Sequence, residues 1–134
     1  MGYTFYNPNP VKNNTRDCAI RAIAKALNIS WEESFAKIAS MAFNMAQTMD
    51  YDAVWGAVLK MNGFRREIIP NTCPECYTIK EFCNDHPKGI YVLGMGNHVV
   101  TVVDGILYDS SDTSNEIPQF YWYLEKGDQN GTAN

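Results

Sequence analysis

The sequence predicts an α+β fold, with helices first and a sheet after them, on three observations. From Asp17 to Met61 apolar residues recur at helical spacing. After Gly63 the period changes, and short β-branched and aromatic runs take over. Asp104-Gly105, between Val99–Val103 and Ile106–Tyr108, is a strong two-residue hairpin signal, because a type I′ turn needs positive φ at both central positions. Helices followed by strands, rather than alternating with them, define the α+β class and an antiparallel sheet.

The elements follow in order. Residues 1–16 are rich in Asn and Pro and read as an extended arm. The first helix begins at Asp17, which reads as its cap. It places Ile20, Ile23, Ala24 and Leu27 on one face and Arg21 and Lys25 on the other, and Asn28 ends it. Ser30 and Glu33 form a capping box for a second helix with the stripe Trp31, Phe35, Ile38, Ala42 and Met45. Asp50 caps a third helix, with Val54, Ala57, Val58 and Met61 inward and Asn62-Gly63 as its left-handed stop. Phe64 to Ile69 reads as a strand closed by Pro70. Thr78 and Glu81 form a second capping box, opening a short helix that ends before Pro87. Residues 89–95 and 98–103 are β-rich, and Gln119 to Leu124 is a last, aromatic strand. Its alternation sends Phe120 and Trp122 to one side and Tyr121 and Tyr123 to the other.

Composition bounds the class. The 134 residues are one domain's worth, spanning 1–126, and the polar stretch 127–134 reads as a disordered tail. Hydrophobic residues make up 46%, too many for a disordered chain. No apolar run approaches the ~20 residues of a spanning helix, so no membrane association is expected. The first residues lack the basic flank and apolar stretch of a secretory signal, and Tyr6 stands where myristoylation wants Ser or Thr. The expected location is cytoplasmic. With 11 basic against 15 acidic side chains and no Lys/Arg cluster, nucleic acid is not an expected partner. Four cysteines in a cytoplasmic chain point to reduced thiols, a metal site or a nucleophile rather than a disulfide framework.

One set of residues carries the chemistry of a nucleophile. Cys18 stands in the first turn of a helix, where free N–H groups and the helix dipole favour the thiolate. His98 follows the Gly94-Met95-Gly96-Asn97 segment and opens a strand. The hairpin folds its partner strand back, so that Asp109 reaches the imidazole. The order is thiol, base and orienter. Asp109 is preferred to Asp112 because it ends the strand itself. Each residue also has a plain reading: Cys18 as a small buried hydrophobe, His98 as a hydrogen-bonded strand residue and the two acids as loop caps.

This order resembles papain-like cysteine peptidases. The segment Arg16-Asp17-Cys18-Ala19-Ile20-Arg21-Ala22-Ile23 is also similar to small uncharacterised papain-like proteins of gut bacteria and their phages. Those have an Asp-Cys-x-x-Arg-Ala helix start, a His hairpin with Asp-Gly at its turn, and a Tyr-Asp-x-x-Asp ending. Here these read Asp17 to Ala22, His98 through Asp104-Gly105, and Tyr108-Asp109-Ser110-Ser111-Asp112. The resemblance covers most of residues 5–124. It implies a papain-like fold and a thiol hydrolase of peptide or isopeptide bonds, with Cys18, His98 and Asp109 catalytic and no cofactor required for catalysis. It also leaves open a non-catalytic papain-like module that binds a protein partner, such as a phage-encoded inhibitor of a host defence system. Papain-like enzymes usually carry a Gln before the Cys that serves the oxyanion; here Asn13 and Asn14 are the candidates for that place. Ser111 stands where many relatives carry a Trp.

A second set is Cys73-Pro74-Glu75-Cys76 with Cys83 and His86. Cys-x-x-Cys with an internal Pro resembles a zinc knuckle, and Cys83 and His86, three apart on a helix, complete four ligands for a structural zinc. The competing reading is a loop with two free thiols, then a helix with Cys83 buried and His86 at its C-terminal end.

Overall fold

The structure is a computed structural model, and it describes residues 2–124. Its elements are β1 (Gly2–Phe5), α1 (Cys18–Leu27), α2 (Trp31–Met45), α3 (Asp52–Met61), β2 (Phe64–Ile68), α4 (Ile79–Asp85), β3 (Ile90–Gly94), β4 (Val99–Val103), β5 (Ile106–Asp109) and β6 (Phe120–Leu124). The class is α+β. Six strands form one sheet in the order β1-β5-β4-β3-β6-β2. Every pairing is antiparallel except that of β1 with β5, so the antiparallel expectation needs one correction: an edge strand lies parallel. The arm supplies that strand, Gly2 to Phe5 pairing with Ile106 to Asp109.

Alternation along the central strands builds two cores. Val92, Val99, Phe120 and Trp122 face α1, α2 and α3, where they meet Ile23, Ile38, Val54, Trp55 and Leu59. Leu93, Val100, Val102 and Leu107 face the other way and meet Ile79, Phe82 and Cys83 of α4. The sheet is therefore covered on both sides, and its middle strands are apolar on both faces. The aromatic strand β6 is shared between the cores: Phe120 stacks on Trp55, and Tyr121 packs edge-on to Phe82.

Local chemistry sets the element ends. Both capping boxes form: Ser30 Oγ accepts from Glu33 N, and Thr78 Oγ1 accepts from Glu81 N. Asn28 ends α1 in the left-handed region, and Gly63 (φ 90°) turns the chain out of α3. Asp104 and Gly105 both have positive φ, as the hairpin requires.

Four expectations are corrected. Asp50 does not cap α3; its carboxylate accepts from Thr48 Oγ1, and Tyr51 occupies the cap position without a side-chain bond. Met61 is exposed, and Trp55 and Leu59 are buried with Val54 and Val58 instead. On α2 only Ser34, Ile38 and Ala42 are buried, while Phe35 and Met45 lie open. That narrow stripe suits a helix packed on α1 and α3. Arg21 is buried rather than solvent-facing. No helix among the described residues is long and apolar enough to cross a membrane. The tail 127–134 lies outside the described residues.

Candidate active site

Cys18 and His98 line a cleft of about 380 Å³, and Asp109, buried, meets the imidazole. Cys18 comes from the first turn of α1, His98 from the loop one residue before β4, and Asp109 from the end of β5. Thr101 Oγ1 donates to the Ala22 carbonyl at 2.8 Å, fastening α1 to β4 and so the nucleophile's helix to the histidine's strand. His98 Nε2 lies 2.8 Å from Asp109 Oδ2. The Cys18 thiol lines the cleft beside the same imidazole, and each shifts the titration of the other. With Nε2 committed to the carboxylate, Nδ1 is the ring nitrogen left for sulfur. Asp112 is turned away, accepting from Ser114 N, so the carboxylate at the histidine is Asp109.

The electrostatics favour charge separation. Burial opposes ionisation of Cys18 most strongly. The hydrogen bond from His98, the imidazolium charge, the Val99 backbone N–H and Arg21 together outweigh it, holding the thiol below its ordinary value. The Asp109 hydrogen bond, with that to Cys18, pushes His98 up to about 9 against the cost of its burial. Burial likewise opposes ionisation of Asp109, but bonds from His98, Thr113 and Ser110 N–H prevail and keep it a carboxylate. With His98 at about 9, the ring is largely imidazolium at neutral pH, its Nε2–H donating to Asp109, and the Cys18 thiol beside it is shifted toward the thiolate.

Behind this line stands a buried ion network that periodicity missed. Arg21 pairs with Asp17 and reaches Asp109 Oδ1 at 3.4 Å through its other terminal nitrogen. Trp31 Nε1 donates to Asp17 Oδ2 at 2.8 Å. Asp17 thus spends its carboxylate on Arg21 and Trp31 and makes no side-chain cap, a correction to its expected role. The first-turn amides of α1, beside the cleft, are left without a capping side chain. The sequence signal that could have shown the network is the i, i+4 spacing of Asp17 and Arg21 around Cys18. Thr113 Oγ1, 2.8 Å from Asp109 Oδ2, and Ser110 N, 2.7 Å from Oδ1, complete the carboxylate's partners. From the sheet edge, Tyr6 N and Tyr3 OH both donate to the Asp109 carbonyl.

Asn13 and Asn14, the oxyanion candidates, are exposed and do not line the cleft. Asn13 N instead donates to the Asn9 side chain, which organises the preceding turn. The cleft wall also carries the polar side chains Asn97, next to His98 in sequence, Asp50, Asp52 and Arg16, and the apolar Trp55 and Met49.

Of the second set, Cys73 and Cys76 share one turn, and the Cys73 thiol holds that of Cys76 above its ordinary value. Cys83 is turned into the α4 core, away from them. His86 bonds the Phe82 carbonyl through Nδ1 at 2.9 Å and stacks on the Phe82 ring. Among the described residues no group of three or more His, Cys, Asp and Glu is placed to hold a metal ion. The four residues do not fit a zinc site in this arrangement.

No family model, no curated protein and no solved structure matches the chain.

Proposed function

We propose that this protein is a papain-like thiol hydrolase acting on peptide or isopeptide bonds. The observation that carries the reading is that Cys18, at a helix N-terminus, and His98 line one cleft, with the imidazole hydrogen-bonded to Asp109. Cys18 Sγ, as the thiolate, adds to the substrate carbonyl carbon, and the oxygen gains the negative charge. The Cys18 backbone N–H, at the uncapped end of α1, donates to that oxygen. As the tetrahedral intermediate collapses, His98 Nδ1–H protonates the leaving amine, and a thioester to Cys18 remains. Neutral His98 then takes a proton from water, whose oxygen attacks the thioester and releases the acid and the thiolate. Asp109 keeps the ring oriented throughout and stabilises its charged form.

Thiol alkylation measured against pH tests the activation that this reading requires. In the wild type, iodoacetamide should label Cys18 well below the ordinary thiol range of about 8.5. In His98→Ala the labelling curve should move up toward that value. Cys18→Ala should abolish hydrolysis of any substrate found, with the fold intact. One shared curve for wild type and His98→Ala at an ordinary thiol pKa would sink the catalytic reading and favour the non-catalytic binding module.

A further inference from the structure

The Cys73-Pro74-Glu75-Cys76 turn takes no part in the cleft. We propose that Cys73 and Cys76 form a redox-active dithiol, which closes to an intramolecular disulfide by exchange with a low-molecular-weight disulfide of the glutathione type. Cys73 is exposed and Cys76 half-buried, so a small disulfide can reach the pair. The two residues stand at either end of one short turn, whose flanking residues Thr72 and Tyr77 are hydrogen-bonded to each other.

The turn is held in this shape from both flanks. Asn71 Oδ1 accepts from Cys73 N at 3.0 Å, and Thr72 Oγ1 accepts from Tyr77 N at 2.8 Å, straddling the pair. Tyr77 OH then donates to Asp85 Oδ2 at 2.7 Å, tying the far end of the turn to α4. Much of the chain entropy that disulfide formation costs is thus already lost in the reduced protein. Cys83 in the core and His86 on the Phe82 carbonyl leave the two thiols without further ligands, which favours exchange over a four-ligand metal site.

The chemistry runs in two displacements. The thiolate of Cys73, the more exposed sulfur, attacks one sulfur of glutathione disulfide; a mixed disulfide forms and one glutathione leaves as thiolate. The neighbouring Cys73 thiol holds Cys76 above its usual value until the mixed disulfide forms. Cys76 then gives up its proton and attacks the Cys73 sulfur, expelling the second glutathione. The two cysteines lose two protons and two electrons, and one glutathione disulfide becomes two glutathione molecules.

The test uses the full chain carrying Cys18→Ala, so that the cleft thiol takes no part. It is equilibrated in glutathione mixtures of stepped ratio, quenched with acid, alkylated, digested and weighed. The peptide holding Cys73 and Cys76 should lose the mass of two hydrogens and resist alkylation as the disulfide fraction rises. Cys83 should stay reduced. In Cys76→Ser, Cys73 should instead retain one glutathione. Two separate glutathione adducts on the native pair, or two thiols that stay alkylatable throughout, would overturn the proposal. So would one zinc per chain in protein purified without chelator, with both thiols protected from exchange.

Discussion

Arg21 shows how much a single buried side chain can decide. Its guanidinium lies between Asp17 and Asp109, 7% exposed, and no acceptor meets its Nε. Two buried carboxylates without it would carry uncompensated charge, and breaking such a pair from one side costs about 3–5 kcal/mol. Arg21→Met should lower the urea unfolding free energy by an amount of that order. Arg21→Lys should recover only part, because a single ammonium cannot reach both carboxylates as a planar fork does. A lysine variant as stable as the wild type would mean that the reach to Asp109 adds nothing. Arg21 also helps to hold the Cys18 thiol down. The methionine variant should therefore move the alkylation curve upward, which a purely structural role would not do. Cys18, His98 and Asp109 were legible one by one, since helix start, strand start and hairpin end are local signals. The burial of Arg21 was not: its second partner lies 88 positions away, and a charged residue opposite an apolar stripe reads as solvated.

Among the elements, β3 and β6 fit most closely at Gly94. A Cβ there would sit 2.2 Å from Phe120 Cζ, and Phe120 is wedged against Trp55 behind it. Gly94→Ala must push the ring out of its place, an overpacking cost of about 1–3 kcal/mol. The displacement should also register in Trp55, which lines the cleft. Thermal unfolding and tryptophan fluorescence read the two effects, and an unchanged melting midpoint would contradict this packing. The helices, the Asp104-Gly105 hairpin and most strand ends were legible because their determinants lie within a few residues: the Ser30/Glu33 and Thr78/Glu81 boxes, Asn28 and Gly63. Strand β1 was not, because Gly2 to Phe5 is a strand only by virtue of Ile106 to Asp109. Helical spacing puts Cys83 and His86 on one face; in the structure Cys83 packs into the core beneath α4 and His86, at its C-terminal end, bonds the Phe82 carbonyl, as the simpler of the two sequence readings has it.

The whole molecule carries the pH dependence of these charges. His98 is raised from an ordinary value of 6.5 to about 9 by Asp109 and Cys18. Its contribution to stability is complete below about 6.5 and is lost as the pH climbs through about 9. Cys18 and Asp109 are lowered, so each contributes above its ordinary value and loses its contribution as the pH falls through its folded one. The His98 and Cys18 shifts oppose each other between about 6.5 and about 9, so the unfolding free energy of the wild type should vary little across that window, whereas Cys18→Ala, which leaves the His98 shift unopposed, should lose stability as the pH rises there. Parallel curves for the two would contradict the coupling. The bonds that assemble the site join distant parts of the chain: Thr101 to Ala22 across 79 positions, Arg21 to Asp109 across 88 and Tyr3 to Asp109 across 106. During synthesis Cys18 is therefore made early and His98 late. While the ribosome works through the intervening helices, Cys18 has no His98 imidazole beside it. Under the proposed function, the thiol is activated only when the β4–β5 hairpin folds back on α1, so the order of residues delays that activation until the fold is made.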